Sequence, residues 1–147
     1  MIRDQRGFTL IEVLVTLVIV GLLIALGAQN FSNLQTNAHA SHIIGDFQAV
    51  ATGVYSKMAI DGVLPNAVGW RQVPPELREY LPPDFEFTYR DARYRWRVWN
   101  LRQARQRGYI AGLQVRSANP ETIRSLVGVY EGRMALIRAN QVTLIVI

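Results

Sequence analysis

Gly7-Phe8-Thr9-Leu10-Ile11-Glu12-Val13-Leu14-Val15 opens a run that stays apolar through residue 28, interrupted only at Thr9, Glu12 and Thr16. As a helix, residues 8–28 measure about 31 Å, enough to cross the hydrocarbon core of a bilayer. A short polar leader, residues 1–7, precedes the run and carries Arg3 and Arg6. That bias holds the N-terminus in the cytoplasm and places everything after residue 28 on the far side of the membrane.

Three other origins compete for the apolar run. A cleaved secretory signal has a shorter apolar core and a small-x-small site, for which Ala25-Leu26-Gly27 qualifies. A plain signal anchor needs nothing beyond hydropathy. A buried core helix, apolar on every side, needs a much larger protein around it. None of the three accounts for Glu12. A carboxylate inside a membrane span costs a few kcal/mol and by default marks a functional site with a partner. Residues 8–28 hold no Lys, Arg or His to neutralise it. Its counter-charge is therefore expected from another molecule or from a new terminus. A cut between Gly7 and Phe8 creates such a terminus at the top of the same helix. In a staggered array, Glu12 of one subunit then pairs with the α-amine of its neighbour. A subunit docked out of step leaves its carboxylate unsatisfied, so Glu12 acts as a register device.

The segment from Gly7 to Val15 resembles the processing and methylation signature of type IV pilins and type II secretion pseudopilins. The resemblance covers about the first thirty residues and rests on the small residue, the Phe, the glutamate and the full-length span. It implies cleavage by a prepilin peptidase between Gly7 and Phe8, N-methylation of Phe8, and docking through Glu12. Gly21 also falls where that family usually has a glycine that loosens the helix in the filament. Eight residues later many of its members have proline, whereas this chain has Gln29. The implied partners are the prepilin peptidase, other pilin or pseudopilin subunits, an inner-membrane assembly platform, and membrane lipid before assembly. The implied location is the bacterial inner membrane and then a pilus or periplasmic pseudopilus.

Beyond the span, Phe31, Leu34, Ala38, Ile43, Ile44, Phe47, Val50, Ala51, Val54 and Met58 recur at helical spacing. The pattern predicts an amphipathic spine over residues 29–60, closed at Asp61-Gly62. Residues 61–84 contain Pro65, Pro74-Pro75 and Pro82-Pro83 and read as a loop, pinned to the head by Trp70 and Leu81. Residues 76–81 are expected to form one helical turn. Strands are predicted at 85–89, 93–99 and 109–115. A helix follows from Asn119-Pro120, with Asn as N-cap and Pro at the first helical position. A closing hairpin is expected at 134–139 and 142–147, turned at Asn140-Gln141. The fold class is α+β: a leader (1–7), a membrane helix (8–28), a spine (29–60) and a small antiparallel-sheet head (61–147).

The formal charge is +5, and the sixteen basic residues are all Arg except Lys57. Removing residues 1–7, with two Arg and one Asp, leaves +4. Arg90, Arg93, Arg95, Arg97, Arg102, Arg105 and Arg107 interleave with Tyr89, Tyr94, Trp96 and Trp99. Such a mixture suits nucleic acid through phosphate contacts and stacking, and equally a solvated strand face. Alternation places Tyr94 and Trp96 on the core side, away from the arginines, which counts against stacking. His39, His42 and Asp46 lie on one helix with spacings that suit zinc or, equally, a solvent-facing polar surface. There is no phosphate-binding glycine loop, no nucleophilic triad, no acid–base carboxylate pair and no cysteine. The chain is expected to be an enzyme's substrate rather than an enzyme, with no cofactor.

Overall fold

A computed structural model of the chain describes residues 8–103 and 106–147, and only the backbone of residues 29, 101–103, 106–107 and 135–137. Helix α1, Leu10–Asp61, begins at Thr9, whose carbonyl accepts from the Val13 N–H. It ends where the expected turn signal lies. Gly62 takes a left-handed φ of +69°, and its N–H closes on the Met58 carbonyl at 3.0 Å. The backbone of Gln29 is helical, in line with the absence of proline there.

The chain divides into two compact units, residues 1–35 and 36–147. In the first, every described side chain from residue 8 to 28 is exposed, and so are Phe31 and Leu34. Among the described residues, α1 is the one helix long and apolar enough to cross a membrane.

The second unit has its own core. From α1 it takes Ala40, Ile43, Phe47, Val50 and Val54, so the buried stripe starts at residue 39 rather than at Phe31. The predicted stripe members Phe31, Leu34 and Ala38 are all exposed. Against this stripe lies an antiparallel sheet of β1 (Thr88–Tyr89), β2 (Ala92–Gln103), β3 (Gln106–Arg116), β4 (Met134–Arg138) and β5 (Gln141–Ile145). The spatial order is β1-β2-β3-β5-β4. Helix α2, Pro120–Val129, buries Ile123 and Leu126 in the same core as Tyr94, Trp96, Leu113, Val115, Val142 and Leu144. Its N-cap is Asn119, whose side chain accepts from the Glu121 N–H, with Pro120 at the first helical position.

Both helices thus contribute to the sheet face that carries the even-numbered residues of β2. The buried indole of Trp96 donates to the Pro65 carbonyl at 3.0 Å, so the largest core side chain keeps its polar atom satisfied. Gly112 of β3 is required by close approach, because a Cβ there would run into the carbonyl oxygen of Leu144 on β5.

Two local expectations are corrected. The first strand covers Thr88–Tyr89 rather than 85–89. The Phe85 N–H closes a turn on Pro82, and Phe87 is a buried anchor, so the Phe-x-Phe alternation reflects core contacts of a loop. The helical turn expected over 76–81 is present as a 3-10 helix at Pro75–Tyr80. The last hairpin turns at Ala139-Asn140, and Gln141 already pairs with Arg138. Leu81 pins the loop to the head from within the core, as expected, and Trp70 pins it from outside the core. Trp70 lies against Arg95 and Arg116, on the opposite face of the sheet.

Candidate functional site

The N-terminal segment begins with a local hydrogen-bond ring. The Thr9 N–H and the Thr9 hydroxyl both donate to Oε2 of Glu12, each at 2.9 Å. The Glu12 N–H points back to the Thr9 hydroxyl at 3.4 Å. With Thr9 as N-cap and Glu12 at the third helical position, this is a capping box. It satisfies two of the N–H groups that a helix start leaves without intrahelical partners. The expectation that Glu12 has no partner in its own span is therefore incomplete. Its hydrogen bonds are met by Thr9, while its charge is not. Among the described residues no cation lies within 4.0 Å of it. The Thr-x-x-Glu spacing was the sequence signal for this. Phe8 stands exposed just before the cap. Gly7, the other side of the expected cut, lies outside the described residues.

The head carries a second candidate site, the arginine face. Arg93, Arg95 and Arg97 alternate with buried Tyr94 and Trp96, as strand periodicity demands. Register places Arg93 directly opposite Arg116 of β3, Arg95 opposite Gln114, and Arg97 opposite Gly112. Gln141 of β5 pairs with Arg116 on one side and Arg138 of β4 on the other. One row across the sheet is therefore Arg93, Arg116, Gln141, Arg138.

The next row is wired by hydrogen bonds. Arg95 Nε donates to Gln114 Oε1 at 2.6 Å, and Gln114 Nε2 donates to the Thr143 hydroxyl at 3.2 Å. The Arg95 guanidinium stands 4.3 Å from the Trp70 ring centre and that of Arg116 5.7 Å, within cation–π range. Arg97 lies 5.9 Å from the Trp99 ring, and its shielded Nε has no acceptor among the described residues. Burial lowers the Arg95 pKa, and the charges of Arg97 and Arg116 lower it further, although the guanidinium stays charged. Of the other arginines expected here, Arg102 and Arg107 face each other in the backbone register. Their side chains, and all of Arg105, lie outside the described residues. Arg116, Arg138 and Trp70 escaped the sequence reading because they are distant in sequence and joined only by register.

Of His39, His42 and Asp46, expected to face solvent, only His42 is exposed. His39 is 9% exposed and lies 3.6 Å from Asp91. His42 stacks on Tyr89 at 3.6 Å, and Asp46 accepts from the Tyr94 hydroxyl at 2.8 Å. Burial and the Asp46 charge push the Tyr94 phenol well above its ordinary pKa. Asp91 accepts from the Ser117 hydroxyl and, at 3.2 Å, from the Asn119 N–H. These contacts tie α1 to the β1–β2 turn and to the start of α2. Among the described residues no group of three His, Cys, Asp or Glu side chains is placed to hold a metal.

A family model for the prokaryotic N-terminal methylation motif matches residues 2–28, the segment that contains the capping box and the exposed apolar helix. No curated protein and no solved structure matches the chain. Over residues 2–28 the chain thus carries the N-terminal methylation signature of type IV pilins and pseudopilins, at the head of one long apolar helix that fits anchoring in the inner membrane.

Proposed function

We propose that the chain is a structural subunit of a type IV pilus or a type II secretion pseudopilus, a minor pilin or pseudopilin. The observation that carries this reading is the methylation motif at the start of an exposed apolar helix that bears one carboxylate near its N-terminus. A prepilin peptidase cuts between Gly7 and Phe8, and the new amine of Phe8 is methylated. The subunit waits in the inner membrane with its N-terminus cytoplasmic and its head outside, then moves into a pilus or periplasmic pseudopilus. Its partners are the peptidase, the assembly platform and neighbouring pilin or pseudopilin subunits.

Within the filament, Glu12 accepts the positive charge of a neighbour's Phe8 amine. The capping box gives this role a physical basis. Thr9 holds the carboxylate by hydrogen bonds before assembly, which lowers the cost of keeping it at the membrane without a cation. The remaining need for a counter-charge is met only on docking. The test is Gly7→Phe, which blocks the small-residue side of the cut. The precursor is expected to remain uncut and outside the filament. Normal maturation of Gly7→Phe would contradict the reading.

A further inference from the structure

The arginine face has a property that filament assembly does not explain. Arg93 and Arg116 stand directly opposite each other on neighbouring strands, where like charges destabilise a sheet. Arg95 and Arg97 extend the same face of β2, and Arg138 extends the Arg93–Arg116 row. Among the described residues none of these five arginines is ion-paired with a carboxylate. The helices pack on the other face of the sheet, and on this one Trp70 and the arginines surround the buried Gln114 and Thr143.

The array is also ordered. Neighbouring arginines along β2 repeat every two residues, about 7 Å, and adjacent strands are about 5 Å apart. Gln114 fixes Arg95 through Nε, which leaves its two terminal amino groups for another acceptor among the described contacts. Trp70 braces Arg95 and Arg116.

We infer that this face binds the phosphodiester backbone of nucleic acid, without reading its bases. Three observations choose that ligand over an acidic protein. The cations are guanidinium forks, which match phosphate oxygens two at a time. The charges run along β2 from Arg93 to Arg97 and cross to Arg116 and Arg138, a density of cations that suits a nucleic-acid interface, which is much more positively charged than a protein–protein one. The charges recur in register over several strands, as a polymer with one anion per unit requires. The aromatic rings are already faced by guanidiniums, so base stacking is not on offer and binding is indifferent to sequence. The inference stands apart from filament assembly, since it uses only residues of the head.

The test is fluorescence polarisation of a labelled short DNA duplex with the full chain in neutral-detergent micelles, from about 50 to about 200 mM salt. The wild-type chain is expected to bind with log K falling linearly in log salt, at a slope near −4, about 0.9 per phosphate contacted. Arg95→Gln with Arg116→Gln is expected to weaken binding about tenfold or more and to flatten the slope by about 2. Arg138→Gln, at an exposed rim position whose side chain makes no hydrogen bond among the described residues, is expected to flatten it by about 1 even if the double variant fails to fold. A duplex of scrambled sequence should bind equally. Absence of binding at the lowest salt, or a slope unmoved by Arg138→Gln, overturns the inference. So does displacement of the duplex by polyglutamate or phosphatidylglycerol vesicles at lower charge concentration than by unlabelled duplex.

Discussion

The hydroxyl of Tyr94, near the start of β2, donates to Oδ2 of Asp46 on α1 at 2.8 Å. Tyr94 is fully buried and Asp46 is 16% exposed, so the bond joins sheet to helix inside the head. A hydrogen bond to a charged, part-buried acceptor contributes more than a neutral one. Tyr94→Phe keeps the ring packing and removes only the donor. We expect a loss of about 1.5 kcal/mol, moderated because His42 Nδ1 remains 3.3 Å from the same carboxylate. Urea unfolding of the full chain in detergent reads this directly, because all three tryptophans (Trp70, Trp96 and Trp99) lie in the head. An unchanged midpoint would show that the bond contributes nothing.

Asp91 gives the head an acid-sensitive joint. Burial raises its pKa, but the Ser117 hydroxyl and the Asn119 N–H outweigh burial and hold it below the ordinary 3.8. A carboxyl depressed in the folded state contributes stability that is fully present above its unfolded pKa. That contribution is lost as pH falls through the folded value. The head is therefore expected to lose urea resistance below pH 3.8. Asp91→Asn should be weaker at neutral pH and show a shallower fall in acid. A wild-type and variant difference that stays constant across this range would exclude Asp91 as the cause.

Arg71 occupies a glycine position. Gly69, Trp70, Arg71 and Gln72 form a turn closed by the Gln72 N–H on the Gly69 carbonyl, with Arg71 at a φ of 64°. A positive φ at the third turn residue is the mark of a type II turn, which favours glycine there. Relief of about 1–3 kcal/mol of strain outweighs the entropy cost of glycine, about 0.5–1 kcal/mol. Arg71→Gly is thus expected to stabilise the head by about 1 kcal/mol in the same urea assay. Destabilisation would mean that the exposed Arg71 side chain makes up for its backbone.

Glu12→Gln separates the two jobs assigned to that residue. Glutamine at the third helical position can still close a capping box, but it carries no charge. The variant should insert in the membrane and be cut like the wild type, yet fail to enter filaments. Shearing filaments from cells and blotting for the chain checks this. Normal assembly would leave capping as the whole role of Glu12.

The parts of the fold visible in the sequence are those governed by local chemistry. Gly62 marks the end of α1, Asn119-Pro120 starts α2, and alternation along β2 separates arginines from buried aromatics, each within a few residues of sequence. What escaped depends on distance. Trp70 reads as an anchor of the loop to the head, but that it lies on the arginine face, beside the turn at Arg71, depends on the register of the sheet. Arg116 and Arg138 join Arg93 only through strand register. His39 and Asp46 look solvent-facing on a helix until the sheet brings Asp91 and Tyr94 against them. Thr9 is a local case as well, since the Thr-x-x-Glu spacing to Glu12 is itself the capping-box signal.

The measurement closest to the central claim is intact-mass and tandem mass spectrometry of the N-terminus of the chain purified from its native membrane. The account expects residues 1–7 to be missing and the first residue to be Phe8 with one methyl group on its amine. A chain that begins at Met1, or one cut near Ala25-Leu26-Gly27, would contradict it.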